Sequence, residues 1–251
     1  MNNRTHTTQT MASSNEALEL ALHKIASVEV PQGKHIALAY SGGLDSTLCV
    51  KLSQLKYHAR ALTAIMVDVG QGEAELQQSS ARAKELGISP LVIDAKQEFT
   101  QQWLSKAIQA NSDYNGYPVS TSMTRQLIAA HVAQAALELG CDALMEGSTG
   151  KGNDQYRMHN VFSLFAPGTP IFVPVRDFDL TRSEEQLLME YYGIPVEEVI
   201  AGGDDKTMWC RSIASGGIDL TTELPDSIWM WLTPPAKAPD KPTTITLQWQ
   251  N

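Results

Sequence analysis

The sequence predicts an α/β protein, a doubly wound parallel sheet with a small C-terminal extension. Three features carry this reading. Short apolar runs of strand length alternate with helical stretches, the βαβ pattern. The runs are apolar almost throughout instead of at every second residue, as in strands covered on both faces. Glycine-rich turns follow two of them, and open parallel sheets bind ligands beyond the carboxyl ends of their strands.

Taken in order, residues 1–14 are rich in Thr, Asn and Ser and read as a disordered lead-in. From Asn15 apolar residues recur at helical spacing, with Ser14 or Asn15 placed to cap the helix. His35 to Tyr40 is a buried strand that runs into Ser41-Gly42-Gly43, and Ser46 to Lys56 is helical. Ala61–Asp68 is the next strand. Glu73 to Leu86 is the next helix, with Gly87 as its C-cap. Leu91 to Asp94 is a third strand, Glu98 to Gln109 and Thr124 to Leu139 are helices, and Ala143 to Glu146 is a fourth strand. The pattern then weakens: Glu184 to Tyr192 is helical, 213–218 is punctuated by glycine, 234–242 is a proline-rich linker, and 243–249 alternates like an edge strand.

The 251 residues are 43% hydrophobic and 19% charged, which supplies an ordinary globular core. Nineteen Lys and Arg against 28 Asp and Glu leave a net charge of −9, which disfavours nucleic acid as a partner because phosphate contacts need clustered cations. No run is long and apolar enough for a membrane span, and the polar N-terminus lacks a signal-peptide core. Cys49, Cys141 and Cys210 are far apart and odd in number, as free thiols in a reducing compartment would be. The expectation is a cytoplasmic protein.

Ser41-Gly-Gly-Leu-Asp-Ser46 joins a strand to a helix. Glycines let the backbone approach an anion, and the helix start aims N–H groups and a positive dipole end at it. The whole hexapeptide in that setting favours phosphate binding over a joint with chance glycines. The segment resembles the pyrophosphate loop (PP-loop) of the N-type ATP pyrophosphatases, which cleave ATP to AMP and pyrophosphate while adenylating an oxygen. That resemblance implies an adenine nucleotide α-hydrolase-like, Rossmann-type fold.

A second cluster, Gly147-Ser-Thr-Gly-Lys-Gly-Asn-Asp-Gln-Tyr-Arg157, offers another glycine turn and a polar row able to hold an amino acid. By itself it also reads as a solvated loop. Together with Ala39–Asp45, Asp68–Gln71, Tyr117–Arg125, Gly150–Gln155 and Trp209–Ile213, it resembles argininosuccinate synthase, in order and spacing from about residue 35 to 245.

The resemblance implies a ligase that adenylates the ureido oxygen of citrulline and lets the aspartate amine displace AMP. It implies ATP at Ala39, Tyr40, Ser41, Gly42, Gly43, Leu44, Asp45, Ser46, Thr47 and Gly147. It implies aspartate at Thr149, Asn153 and Asp154, and the acceptor at Tyr117, Ser122, Arg157 and Ser212. Asp45 and Arg157 are the candidate catalytic residues, and Mg²⁺ accompanies the ATP. Asp45 is a candidate contributor to the metal environment; capping the next helix is the competing role. No resident protein metal site is expected.

On this basis residues 15–180 form an ATP-pyrophosphatase nucleotide-binding domain, and 181–251 a shortened remnant of a synthetase domain. Departures from the family pattern gather on the acceptor side. The family runs to around four hundred residues, and its further part carries a glutamate and a tyrosine that clamp citrulline. Gly203 replaces a serine, Asp205-Lys206-Thr207 replaces Asp-Glu-Asn, and Arg157-Met158-His159 replaces Arg-Phe-Glu. His159 reads as an acceptor contact or an exposed loop residue, and Trp209, Trp229 and Trp231 as core or interface packing. The expected acceptor is citrulline or a related ureido, amide or carboxylate compound. A homodimer or a partner chain would complete its site. The alternative from another class is a non-catalytic nucleotide- or amino-acid-binding module.

Overall fold

The computed structural model describes residues 3–195, 203–214, 229 and 231–248. Five parallel strands form one sheet: β1 (His35–Ala39), β2 (Ala61–Asp68), β3 (Ser89–Asp94), β4 (Ala143–Met145) and β5 (Ile171–Phe172), in spatial order β3-β2-β1-β4-β5. The chain builds outward from β1 to β3, then returns to the other side of β1 for β4 and β5. The order therefore reverses between β1 and β4, and a crevice opens beyond their carboxyl ends.

Helices cover both faces, which explains the apolar strands. One core joins Ile36 and Leu38 to α1 (Asn3–Ser27), α2 (Leu44–Leu55), α3 (Glu73–Glu85), α8 (Pro174–Asp177) and α9 (Arg182–Tyr191). The other joins Ala37, Ile65 and Leu144 to the 96–109 segment, α6 (Ser120–Glu138) and α7 (Asp154–Phe165). The 96–109 segment is α4 (Lys96–Glu98), a π-wound stretch Phe99–Leu104, and α5 (Ser105–Gln109). Tyr57 stacks on Phe172 with ring centroids 4.6 Å apart and closes the first core, where each fully buried large side chain contributes about 1.5–3 kcal/mol.

Several sequence expectations need correction. Helix α1 starts at Asn3, ahead of the Ser14 or Asn15 cap expected from the sequence. Helix α6 starts at Ser120, four residues early. The short β5 was not foreseen, nor was the antiparallel hairpin of β6 (Gly203–Lys206) and β7 (Arg211–Ala214). Residues 242–248 form no strand, with Ile245 and Leu247 exposed: alternation makes a strand only where a partner edge takes its hydrogen bonds. Most of 213–218 and Trp249 lie outside the described residues. Trp209 and Trp231 are exposed, not core. His159 sits partly buried on α7, not in a loop. Cys49, Cys141 and Cys210 are all unpaired. Among the described residues no helix is long and apolar enough to cross a membrane.

Candidate functional site

A cleft of about 730 Å³ opens at the β1/β4 crevice. Its floor is the 39–47 segment. Gly42 has φ +79°, and a side chain there would meet Ser79, whose hydroxyl donates to the Ser41 carbonyl at 2.9 Å. Arg82, also on α3, donates to the Gly42 carbonyl. Helix α2 starts behind this turn from an extended Gly43, and no side chain caps it. Its first N–H groups are therefore left for an anion. Asp45 does not cap α2 either; its Oδ1 accepts from Arg182 at 2.7 Å.

The facing wall is the 147–154 loop after β4. Gly147 packs so closely on Asp45 that an added Cβ would lie 3.0 Å from the Asp45 carbonyl carbon. Gln155 donates to the Gly150 and Gly152 carbonyls at 2.9 and 3.1 Å and holds the loop in shape. The β6–β7 hairpin forms a third side, tied by Lys206 to Glu75 at 2.8 Å and by the Met208 N–H to the Val69 carbonyl at 3.0 Å.

All of Ala39 to Thr47, with Gly147, Thr149 and Asp154, lines this cleft. Asn153, Tyr117, Ser122, Arg157 and Ser212 do not, although most are wired to it. Ser212 donates to the Tyr117 hydroxyl at 3.3 Å, Tyr117 meets Thr121 at 3.0 Å, and Thr121 donates to Asp205 at 3.1 Å. Asp205 pairs with Arg125 at 2.6 Å, Arg125 with Asp154 at 3.0 Å, and Asp154 with Arg157 at 2.8 Å. Val119, at φ +48°, makes the tight entry from Tyr117 into α6, a strained conformation for a β-branched residue. Asn153 is exposed, and its carbonyl accepts from Tyr156 and Arg157 at the start of α7.

Four residues that sequence reading did not single out shape the electrostatics. Arg82 and Arg125 put guanidinium groups on the cleft wall. Glu146, at the end of β4, is 3% exposed, and burial pushes its carboxyl up to about 7 against the opposing hydrogen bonds from Ser148. Glu185, behind Asp45 on α9, is pushed up to about 9 by burial and by the Asp45 charge. Arg125 was visible within the Tyr117–Arg125 motif. The other three carry no local signal, since only the folded topology brings α3, β4 and α9 to one place. Among the described residues no group of three or more His, Cys, Asp or Glu could hold a metal.

Comparison with known proteins gives a family model and curated relatives. The model of the arginosuccinate synthase N-terminal HUP domain matches residues 35–195. The chain is 40% identical over 223 residues to an argininosuccinate synthase of Methanococcus maripaludis, with 87% of this chain and 56% of that protein covered. It is 41% identical over 219 residues to one from Pyrobaculum aerophilum, covering 86% and 55%. A third, from Methanopyrus kandleri, is 37% identical over 222 residues, covering 86% and 56%. The chain thus spans just over half the length of the curated relatives it matches.

Proposed function

The chain belongs to the argininosuccinate synthase family, and on that premise we propose that it is an ATP-dependent ligase forming a C–N bond. It adenylates an acceptor oxygen with release of pyrophosphate, then joins the acceptor to the amine of aspartate with release of AMP. One observation carries the reading: the uncapped start of α2 and the 147–154 loop face each other across one cleft at the sheet's switch point, in contact through Asp45 and Gly147.

In this reading the triphosphate lies along 39–47 and Gly147, with the backbone N–H groups of α2 and the nearby Arg82 offsetting its charge. Thr149, Asn153 and Asp154 form the side for aspartate. Tyr117, Ser122, Arg157 and Ser212 form the side for the acceptor. The acceptor oxygen is itself the nucleophile at the α-phosphorus, so these groups act by holding it in line and shielding the leaving pyrophosphate.

Mg²⁺ fits the residues present. One Asp45 oxygen is held by Arg182, the carboxylate has no cap role, and among the described residues no cluster of metal ligands competes. That suits an ion carried mainly by phosphates and water, with Asp45 as its protein carboxylate. Bound there, the ion would neutralise charge developing on the pyrophosphate.

The test is ATP- and Mg²⁺-dependent pyrophosphate release with aspartate and a panel of ureido, amide and carboxylate acceptors that includes citrulline. Release dependent on one acceptor supports the ligase and names its substrate. ATP binding without release across the panel, alone and with any co-purifying partner, overturns it. That outcome would favour a second reading, a nucleotide- and amino-acid-binding module, for which the position of Tyr117 and Ser212 outside the cleft lining argues.

A further inference from the structure

Glu146 stands on the cleft wall at the end of β4. Its Oε2 accepts from the Ser148 backbone N–H at 2.7 Å and from the Ser148 hydroxyl. Its Oε1 is buried and has no hydrogen-bond partner among the described residues. A buried carboxylate oxygen without a donor is a strongly unfavourable arrangement unless something else supplies one.

Asp154, the carboxylate among the three residues that the resemblance assigns to aspartate, is placed differently. Its Oδ2 accepts from Arg125 at 3.0 Å and its Oδ1 from Arg157 at 2.8 Å. An ammonium arriving there would meet two guanidinium groups and no unpaired oxygen. Glu146, by contrast, keeps one carboxylate oxygen without a partner among the described residues.

We propose that Glu146 receives the α-ammonium of the amino-acid substrate and takes its proton. The proposal rests on the ligase reading for the step that follows. The proton passes from the ammonium nitrogen to the Glu146 carboxylate. The freed lone pair forms the C–N bond to the adenylated carbon, the C–O bond breaks, and AMP leaves with that electron pair. Glu146 then returns its proton to solvent.

The surroundings suit this exchange. Burial raises the carboxyl to about 7, the Ser148 bonds and then Arg176 of α8 oppose the rise, and Asp154 of α7 adds to it. From α2, the Cys49 thiol donates to the Glu146 carbonyl at 3.8 Å. The side chain therefore gains and loses a proton near neutrality, where a general base is most effective.

The test compares the wild type with Glu146→Gln, whose amide oxygen still accepts from Ser148. Aspartate is titrated calorimetrically at neutral pH, with a non-hydrolysable ATP analogue present, in two buffers of different ionisation heat. The wild type is expected to release a fraction of a proton on binding. Glu146→Gln is expected to release none and to bind about tenfold more weakly. With ATP and the acceptor that supports pyrophosphate release, but no aspartate, pyrophosphate exchange should fall far less than product formation, because that half-reaction uses no amine. Product formation with aspartate should fall on the order of a hundredfold, the scale of a lost general base. Hydroxylamine, neutral at this pH, should recover much of it. Equal aspartate binding and equal proton release in the two proteins would overturn the proposal, as would failure of the wild type to bind aspartate. Proton-linked aspartate binding lost in Glu146→Gln, with no pyrophosphate exchange in either protein for any acceptor of the panel, would uphold the ammonium site and remove the ligase reading instead.

Discussion

Arg182 donates to the Asp45 carboxylate at 2.7 Å, joining the first turn of α9 to the first turn of α2 across 137 residues of chain. The contact is partly open to solvent, with the two side chains 49% and 33% exposed. A neighbouring capping box fixes α9 independently: Thr181 accepts from the Glu184 N–H, and the Glu184 carboxylate accepts from the Thr181 N–H at 2.7 Å. Glu184 also pairs with Lys24 of α1 at 2.8 Å. Arg182 thus serves the charge of Asp45 more than the attachment of α9.

Replacing Arg182 by Gln should therefore change stability little, by about 0.5 kcal/mol in urea unfolding. It should weaken metal-free ATP binding about fivefold, the scale of an uncompensated charge at the edge of solvent. Mg²⁺ should restore most of that loss by neutralising Asp45. A large fall in the urea midpoint with unchanged ATP affinity would show that the pair is structural.

Gly42→Ala places a methyl at φ +79° and 2.2 Å from the Ser79 hydroxyl oxygen. The left-handed conformation costs about 1–2 kcal/mol for a non-glycine residue, and Ser79 must also release the Ser41 carbonyl. The unfolding midpoint should drop accordingly, and ATP binding should fall at least about tenfold as the loop shifts. Gly147→Ala tests the opposite wall, where φ is unrestrictive and the close contacts with Asp45 and the Ser46 backbone nitrogen are at stake. It should spare stability more than it spares ATP binding. Equal losses in both properties for both variants would contradict this division.

Glu185 makes stability depend on pH. Its folded carboxyl is raised from the ordinary 4.5 to about 9 by burial and by Asp45. Between those values the folded protein holds a proton that the unfolded chain has lost. Raising the pH through this window therefore destabilises the fold, no more steeply than about 1.4 kcal/mol per pH unit for one proton. Glu185→Gln, which cannot ionise, should flatten that fall and be the more stable protein at the alkaline end. Urea midpoints at pH values across the window would check it, and parallel slopes for the two proteins would refute it.

The sheet was legible because its signals are local. Apolar runs such as Ala61–Asp68 fit only strands covered on both faces, and Gly87, at φ +74°, ends α3 as its sequence announces. The phosphate loop was legible for the same reason, since strand, glycine turn and helix start are contiguous. Glu146, Glu185 and Arg82 were not, because burial and partners decided by topology make them unusual. The β6–β7 hairpin was missed because polar residues such as Asp204, Asp205 and Lys206 carry little strand preference. Pairing and the ties of Asp205 and Lys206 to α6 and α3 hold it in place.

Those ties make Arg125 the hinge of the cleft's outer side. It pairs with both Asp205 of the hairpin and Asp154 of the 147–154 loop. Lysine cannot reproduce two contacts made from different nitrogens of one planar group. Arg125→Lys should therefore leave Asp154 to Arg157, loosen β6–β7, and speed hydrogen exchange in 203–214 while the five-stranded sheet keeps its protection. Global stability should fall by roughly 1–2 kcal/mol, because each carboxylate keeps a second partner or solvent. Under the ligase reading, KM for aspartate and for the acceptor should rise together, with KM for ATP nearly unchanged. A rise in KM for ATP alone would place Arg125 against the triphosphate and sever the link between Asp205 and the amino-acid side.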